Sequence, residues 1–437
     1  MTTATEPQTH RGGRSSWALV TDRTFGIYFV GNLVSNLGTW LQNIAAAIVV
    51  DRLTGSALAV GAVSMLQFSA SLLLGSWAGA VSDRVDRRLL LIVGQVVSVV
   101  PAAVLAVWTF RVGVDGLPGA WPVLAAAAII GIGWAISVPT MQALVPALVE
   151  PDDLEQAVAL NSITFNLARA IGPAAGATAI ATFGAATAFG VNAASYVVLI
   201  VALLLVRPRP VANHRERGDG SVREGLRYVR ANPALAVLLI GVAALGFGTD
   251  PVITLAPAMA RTLGGGEHAV GWLASSFGIG AAVMAFGVGM VRKRVSLARL
   301  GVVGLALLST GLVGWAVSRN VATGVGALFV AGTGFLLALT GLTTELQRRV
   351  PQQFLGRVMA LWAVAFLGSR PAAALLDGAL GDTFGPRVAV ASAAVITGGT
   401  ALWLHRSRHH LRLDDDAVPL ASAATGAADA GTPQVSG

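Results

Sequence analysis

Residues 79–91 read GAVSDRVDRRLLL, with Asp83, Arg84, Asp86, Arg87 and Arg88 crowded into one short polar step between two apolar runs. Residues 57–82 before it and 89–110 after it carry no charged side chain. Each run is long enough to cross a hydrocarbon layer about 30 Å thick as a helix rising about 1.5 Å per residue. The charged step is then a tight joint at a membrane surface, and the rest of the chain follows the same plan.

Of 437 residues, 54% are hydrophobic and only 12% are Asp, Glu, Lys or Arg, roughly half the charged share of a soluble domain. Apolar runs predict an all-α integral membrane protein with twelve spans, at 25–50, 57–82, 89–110, 121–145, 158–182, 184–206, 234–260, 269–291, 298–317, 321–344, 356–380 and 385–405. The longest polar interruption, 207–233, falls after the sixth. The expected parts are therefore a cytoplasmic arm (1–22), a six-helix bundle (23–206), a central loop (207–233), a second bundle (234–405) and a cytoplasmic tail (406–437), with little to bury from Asp414 onward and so disordered.

Charge tests that count. With the N-terminus in the cytoplasm, twenty-three of the thirty Lys and Arg lie on the cytoplasmic side. Arg52, Arg111, Arg261, Arg319 and Arg387 lie outside, and Arg169 and Arg370 fall within spans. The bias predicts both termini inside and explains a pI near 11 without nucleic acid as a partner. The lipid bilayer is the expected surroundings, in the inner, cytoplasmic membrane.

There is no cysteine, which excludes disulfides, thiolate metal sites and a thiol nucleophile. All six histidines lie outside or at the edge of the expected spans, so neither a metal site nor a cofactor is expected. The first 22 residues lack the apolar core of a signal peptide, and the first span is expected to direct insertion. No phosphate-binding loop is present, which argues against direct drive by ATP.

Before the fifth span the chain reads VEPDDLEQAVAL (149–160), and before the eleventh RVPQQFLGRVMAL (349–361). A polar joint with Pro near a helix start at equivalent places in two halves indicates an internal repeat, a common transporter architecture.

Together these features resemble the major facilitator superfamily from about Phe25 to His405. Gly79, Asp83, Arg84, Arg87 and Arg88 match its signature between helices 2 and 3, with Asp86 where many members have glycine. Gly172, Pro173 and Gly176 in NLARAIGPAAGA resemble the antiporter motif of proton-coupled exporters. GNLVSNLGTWLQ, LTGSALAVG, QALVPALV, ALNSITFNLAR, REGLRYVR and GRVMALW resemble the branch of the enterobactin exporter and macrolide-efflux proteins. The resemblance implies two pseudo-twofold-related six-helix bundles that export an amphipathic small molecule by alternating access in exchange for protons, as a monomer and without enzymatic chemistry. A facilitator or importer of the same fold is an alternative, as is a membrane receptor or sensor.

The resemblance also places Asp83 against the start of helix 11, where backbone N–H groups present a partial positive charge; Arg357 is then a candidate partner. Arg87 and Arg88 suit an anionic lipid surface, at about 1 kcal/mol each. The pseudo-twofold implies a mirror contact between the acidic joint at 150–155, with Asp152 and Asp153, and the basic loop at 292–299, with Arg292 and Arg294. Both contacts would close a cytoplasmic gate in the outward-facing state.

A charge at the centre of a span costs roughly 2.5–3.5 kcal/mol, so Arg169, Asp250, Arg370 and Asp377 must face protein or water. Arg370 and Asp377 share a face of helix 11, two turns apart. Asp250 precedes Pro251 in GFGTDP, which predicts a broken or bent seventh span. A carboxylate beside Arg370 would either couple proton entry to substrate release or hold helices 7 and 11 together, and Asp377 could simply reach external water. Asn161, Asn166 and Arg169 would line a cavity or hydrogen-bond between helices. Gly75 with Gly79, and Gly172 with Gly176, are expected to permit close helix approach, the second pair sealing the interface between halves. Trp40, Trp108, Trp121 and Trp403 read as interfacial anchors; Trp134, Trp272, Trp315 and Trp362 include candidate cavity walls.

Overall fold

Asp86, the odd residue in the opening stretch, caps a helix. Its carboxylate accepts from the N–H groups of Arg88 (2.8 Å) and Leu89 (3.2 Å) at the start of a helix over Arg87–Val112, satisfying donors that have no partner inside the helix. Arg88 turns the other way, donating to the carbonyls of Leu203 (2.5 Å) and Leu204 (2.7 Å), and Arg87 donates to that of Ala143 (3.1 Å). These carbonyls close two neighbouring helices, whose negative ends favour a cation. The signs in this step thus start one helix and finish two others.

The computed structural model describes residues 14–82, 84–209, 222–292 and 295–407. A short α1 (Ser16–Val20) leads into α2 (Phe25–Thr54), α3 (Ala57–Ser82), α4 (Arg87–Val112), α5 (Trp121–Leu144), α6 (Leu154–Phe183) and α7 (Ala185–Leu205). An amphipathic α8 (Val222–Ala231) precedes a span broken into α9 (Pro233–Thr249), α10 (Pro251–Thr254) and α11 (Ala256–Thr262). Then come α12 (Glu267–Arg292), α13 (Leu297–Ala316), α14 (Val321–Arg349), α15 (Gln352–Phe384) and α16 (Pro386–Arg406). The break around Asp250 falls where GFGTDP predicts it, because Pro251 supplies no N–H to the turn before it. The expected disorder beyond Asp414 falls outside the described residues.

Among the described residues twelve membrane-length segments result, and eleven are long and apolar enough to cross a bilayer by length and composition. The exception is α6, whose Gln156, Asn161, Asn166 and Arg169 lower its hydropathy. A long helix with such residues belongs inside a bundle, facing protein or water.

The first six long helices pack on one another and the later set packs likewise, while two long pairings, α3 on α15 and α6 on α12, dominate the contact between the halves. Ala59-Val60-Gly61 recurs as Ala269-Val270-Gly271, and Gly79, Arg84 and Val85 recur at the same spacing as Gly289, Arg294 and Val295. Contacts repeat as well. Gly271 meets the Pro173 carbonyl, where a side-chain carbon would lie 2.9 Å from the oxygen, and Gly61 meets the carbonyl of Ala374, which holds the place of Pro173 in the second half. The two seams are therefore copies of one another, and each needs glycine for the close backbone approach.

Two segments outside the spans pack against the bundles. In the arm, Leu19 of α1 is buried among Phe25, Leu148 and Val206. The central loop contains α8, held along the start of α15 by Tyr228 stacked on Phe354 at 4.3 Å and by Glu224 paired with Arg357 at 3.2 Å.

Candidate functional site

Asp250 sits at the break after α9, fully buried. Its Oδ2 accepts from the Thr254 hydroxyl at 2.6 Å and its Oδ1 lies 4.0 Å from the Arg370 guanidinium on α15. Arg370 in turn lies over the ring of Phe68 on α3, 3.8 Å from its centroid, so the cation of one half touches an aromatic of the other. Asp377, two turns along α15, is 2% exposed and its Oδ2 has no hydrogen-bond partner. It lies near enough to Asp250 for the two charges to act on one another. Of the two acids, Asp250 is the one within ion-pair distance of Arg370.

Arg169 on α6 occupies the matching place in the first half. It follows Leu160 by the spacing at which Arg370 follows Leu361. It too crosses the seam: its guanidinium lies 4.8 Å from the Phe277 ring on α12, 4.3 Å from Phe335 on α14 and 5.7 Å from Trp40 on α2. Trp40 is the counterpart of Asp250, because Gly31, Gly38 and Thr39 recur as Gly241, Gly248 and Thr249 just before them. One half therefore sets a carboxylate against its arginine, and the other an indole. Phe366, half-buried on α15, extends the aromatic wall from Phe335 to Trp362, and Trp134 meets Phe68 edge-on.

Several expectations change here. Trp40 is no interfacial anchor but part of this central cage. Asn166 donates to the Ser162 carbonyl of its own helix, while Asn161 accepts from Asn32 at 2.8 Å across to α2. Trp134 and Trp362 line the site, Trp315 is fully buried in the second half, and Trp272 points outward. Gly172 and Gly176 do not seal the seam between halves: they pack on Trp40 and Leu41 of α2, in their own half. The opposite face of the same turns meets α12, through Pro173, Ala177 and the Ala174 N–H, which donates to Ser275 at 2.8 Å. Residues i and i+4 share one helix face, so the glycines and the seam contacts divide between two faces.

The seam is shut at one end and open at the other. Toward the face reached by residues 54–57 and 382–385, Asp382 of α15 accepts from Ser56 and from the Ala57 N–H, both at 2.6 Å, capping α3 from the opposite half. Asp51 pairs with Arg261 across the same face. Gly278 lies so close to α6 that a side-chain carbon would be 2.6 Å from Ala170 Cα. Toward the other, basic face, a carbon built at Gly75, Gly79, Gly289 or Gly356 meets nothing within 4 Å. On the side bearing the arm and α8 these four backbones are therefore uncontacted, as separated halves would leave them.

The gate residues are seen in this open state. Asp83 and Arg294 lie outside the described residues. Arg84, Asp152 and Arg292 are exposed. Arg357 pairs with Glu224 of α8. Asp153 is 2% exposed and already held within its own half: its two oxygens accept from the Arg14 N–H at 2.6 Å and the Arg14 side chain at 2.7 Å. Glu150 likewise pairs with Arg209. Burial opposes ionisation of Asp153, but the hydrogen bonds and charge of Arg14 outweigh it and hold the carboxyl below its usual pKa.

A family model described as a transmembrane secretion effector matches residues 14–425. Enterobactin exporters from strains of Escherichia coli are 29% identical over 411 residues, covering 87% of this chain and 92% of theirs, and one from Shigella boydii is 29% identical over 415. Among solved structures, a bacterial homolog of the human lysosomal transporter Spinster, inward-facing and unoccupied, superposes with a TM-score of 0.69 at 14% identity, over 93% of this chain and 99% of that one. A variant of the nucleoside transporter NupG gives 0.69 at 12% identity over 90% and 100%.

Proposed function

Because the chain belongs to the transmembrane secretion effector family of major facilitator transporters, we propose that it exports an amphipathic small molecule by alternating access, in exchange for protons. The family is one of secondary transporters, so the protein moves a solute through a membrane and is not an enzyme. Export as the direction is supported by the similarity to enterobactin exporters, which also makes drug-, macrolide- or siderophore-like molecules the class to test.

In this reading the basic face is cytoplasmic, as the distribution of Lys and Arg favours, and the structure is the inward-open state. Asp83, with Arg84, Arg87 and Arg88 behind it, would dock beside Gly79 on the start of α15 once the cleft closes. Exposed Asp152 would approach the loop of Arg292 and Arg294.

The observation that supports proton exchange is a buried acid with no cation beside it. Of the two acids Asp250 is the one within ion-pair distance of Arg370, so Asp377, 2% exposed with one oxygen unpartnered, can take up a proton without stripping the guanidinium of its counter-ion. One proton crossing 100 mV supplies about 2.3 kcal/mol, enough for roughly a fiftyfold solute gradient. A shift of Arg370 between Asp250 and cargo-dependent alternatives would bias the two states, since a ligand moves the equilibrium only by its differential affinity.

Inside-out vesicles energised to an acid interior test this with enterobactin, erythromycin and 2-naphthoate as probes. Exchange predicts that at least one probe collapses the pH gradient, and that Asp250→Asn and Asp377→Asn abolish the collapse. Probe uptake that leaves the gradient intact in all variants refutes proton exchange; tight binding without uptake marks a receptor.

A further inference from the structure

We propose that Arg169 is the cargo-binding cation, and that the cargo carries an acidic group which becomes its counter-ion. This rests on the reading of the chain as an exporter of small amphipathic molecules, and adds the sign of the cargo's charge.

Arg169 is half-buried at the seam between the halves, against rings of both. Among the described residues its guanidinium meets rings alone: Trp40, Phe277 and Phe335. Among the described residues no carboxylate lies within ion-pair distance of it, and the charge of Arg370 acts on it as a like charge. Cation–π contacts offset part of the cost of a desolvated guanidinium, but they supply no hydrogen-bond acceptor to its five N–H donors.

The second half holds its arginine differently. Arg370, at the equivalent place, has the carboxylate of Asp250 4.0 Å away as its counter-ion. The counterpart of that Asp250 is Trp40, so the first half holds the same cation with its internal counter-ion replaced by a flat apolar wall. An anion entering from the cleft would complete the missing pair. Its geometry would be a carboxylate or comparable planar acid meeting the guanidinium fork, with an unsaturated body against Trp40, Phe366 and Trp362. Arg370 is not available for this role while Asp250 holds it. The division of labour is that one half binds the proton and the other binds the cargo.

The same asymmetry gives the test. Full-length protein in detergent at a fixed neutral pH is titrated with 2-naphthoate and with 2-naphthyltrimethylammonium, matched in ring and opposite in charge, following tryptophan fluorescence or calorimetric heat. Wild type is expected to bind the anion at least tenfold more tightly than the cation. Arg169→Gln should lose that preference, Arg169→Lys should retain part of it, and Trp40→Asp, which installs the second half's internal counter-ion, should abolish anion binding while keeping the fold. Thermal unfolding of each variant separates lost binding from lost structure. Equal affinity for the two probes, no binding of the anion, or wild-type anion binding by both Arg169→Gln and Trp40→Asp overturns the proposal. Proton flux plays no part in this assay, so anion binding that survives alongside an absent proton exchange would sink the exchange reading and leave this one standing.

Discussion

Arg169 and Arg370 occupy equivalent points in the two halves and each reaches across the seam onto the other half's aromatic rings, yet of the two only Arg370 is paired with a carboxylate among the described residues. The repeat is thus symmetric in backbone and contact but not in charge. Symmetry makes the two seams interchangeable as hinges, and the broken charge symmetry is what can tell one chemical step from another. A proton and a solute can be handled at neighbouring sites on one rocking interface, each altering what the seam costs to open.

The Asp250–Arg370 pair is expected to be costly to halve. Asp250→Asn leaves a buried guanidinium without its counter-ion, a loss of about 3–5 kcal/mol by analogy with other buried pairs. Replacing both partners, as Asp250→Asn with Arg370→Met, should recover most of it, since neither charge then needs compensation. Thermal unfolding in detergent reads both, and equal destabilisation by the single and double variants would show that the pair contributes by packing alone.

Asp382 holds the closed end by capping α3 from the other half. Capping side chains contribute about 1 kcal/mol, so Asp382→Ala should shift the population of states with that end open by roughly fivefold. With no native cysteine to interfere, spin labels at Thr54→Cys and Thr383→Cys report the separation of the two halves there. An unchanged distance distribution would mean that Asp51–Arg261 and the glycine contacts suffice.

Gly79 and Gly278 should respond oppositely to bulk. Gly79→Leu meets open space in this state and should fold within about 0.5 kcal/mol of wild type, while blocking closure of the cleft and cutting transport at least tenfold. Gly278→Leu would push α12 off α6, at an overpacking cost of about 1–3 kcal/mol, and disfavour the closed end. Cysteine accessibility from each face separates the two: the first variant should remain open on the basic side, the second should label more readily on the other. Normal transport by Gly79→Leu would refute closure of the cleft at this point.

Spans and their count were legible because hydropathy depends on local composition, and the observed helices begin and end within a few residues of the expected runs. The broken span at Asp250 was legible for the same reason, since Pro251 acts on the turn beside it. Facing was not. Trp40 read as an anchor and Gly172 as a seam residue because their helix faces are set by partners far along the chain, Arg169 and α2 itself. Arg14 as the partner of Asp153 was equally hidden, since nothing near either residue marks a contact between the arm and the fifth span. The one signal that could have exposed the central site is a comparison of the halves, in which Trp40 stands where the other copy has an acid.

The arm's contact with Asp153 sets a pH dependence that can be signed. The folded pKa of Asp153 is lowered: burial raises it, but the Arg14 side-chain bond, the Arg14 N–H and the attraction between the charges outweigh burial. Asp22, which caps α2 and also meets Arg14, is lowered too; its burial is outweighed by hydrogen bonds from the Phe25 and Thr24 N–H groups and from Arg14. A carboxyl with a depressed folded pKa stabilises the docked arm fully above its unfolded value near 3.8 and loses that contribution as pH falls through the folded value. The arm should therefore stay docked from pH 8 down to about 4 and release only in stronger acid. Asp153→Asn should release it at neutral pH. Trp17, 77% exposed on α1, offers a fluorescence readout once cross-checked by proteolysis at the arm. Release between pH 5 and 7 in the wild type would show that a different group controls the contact.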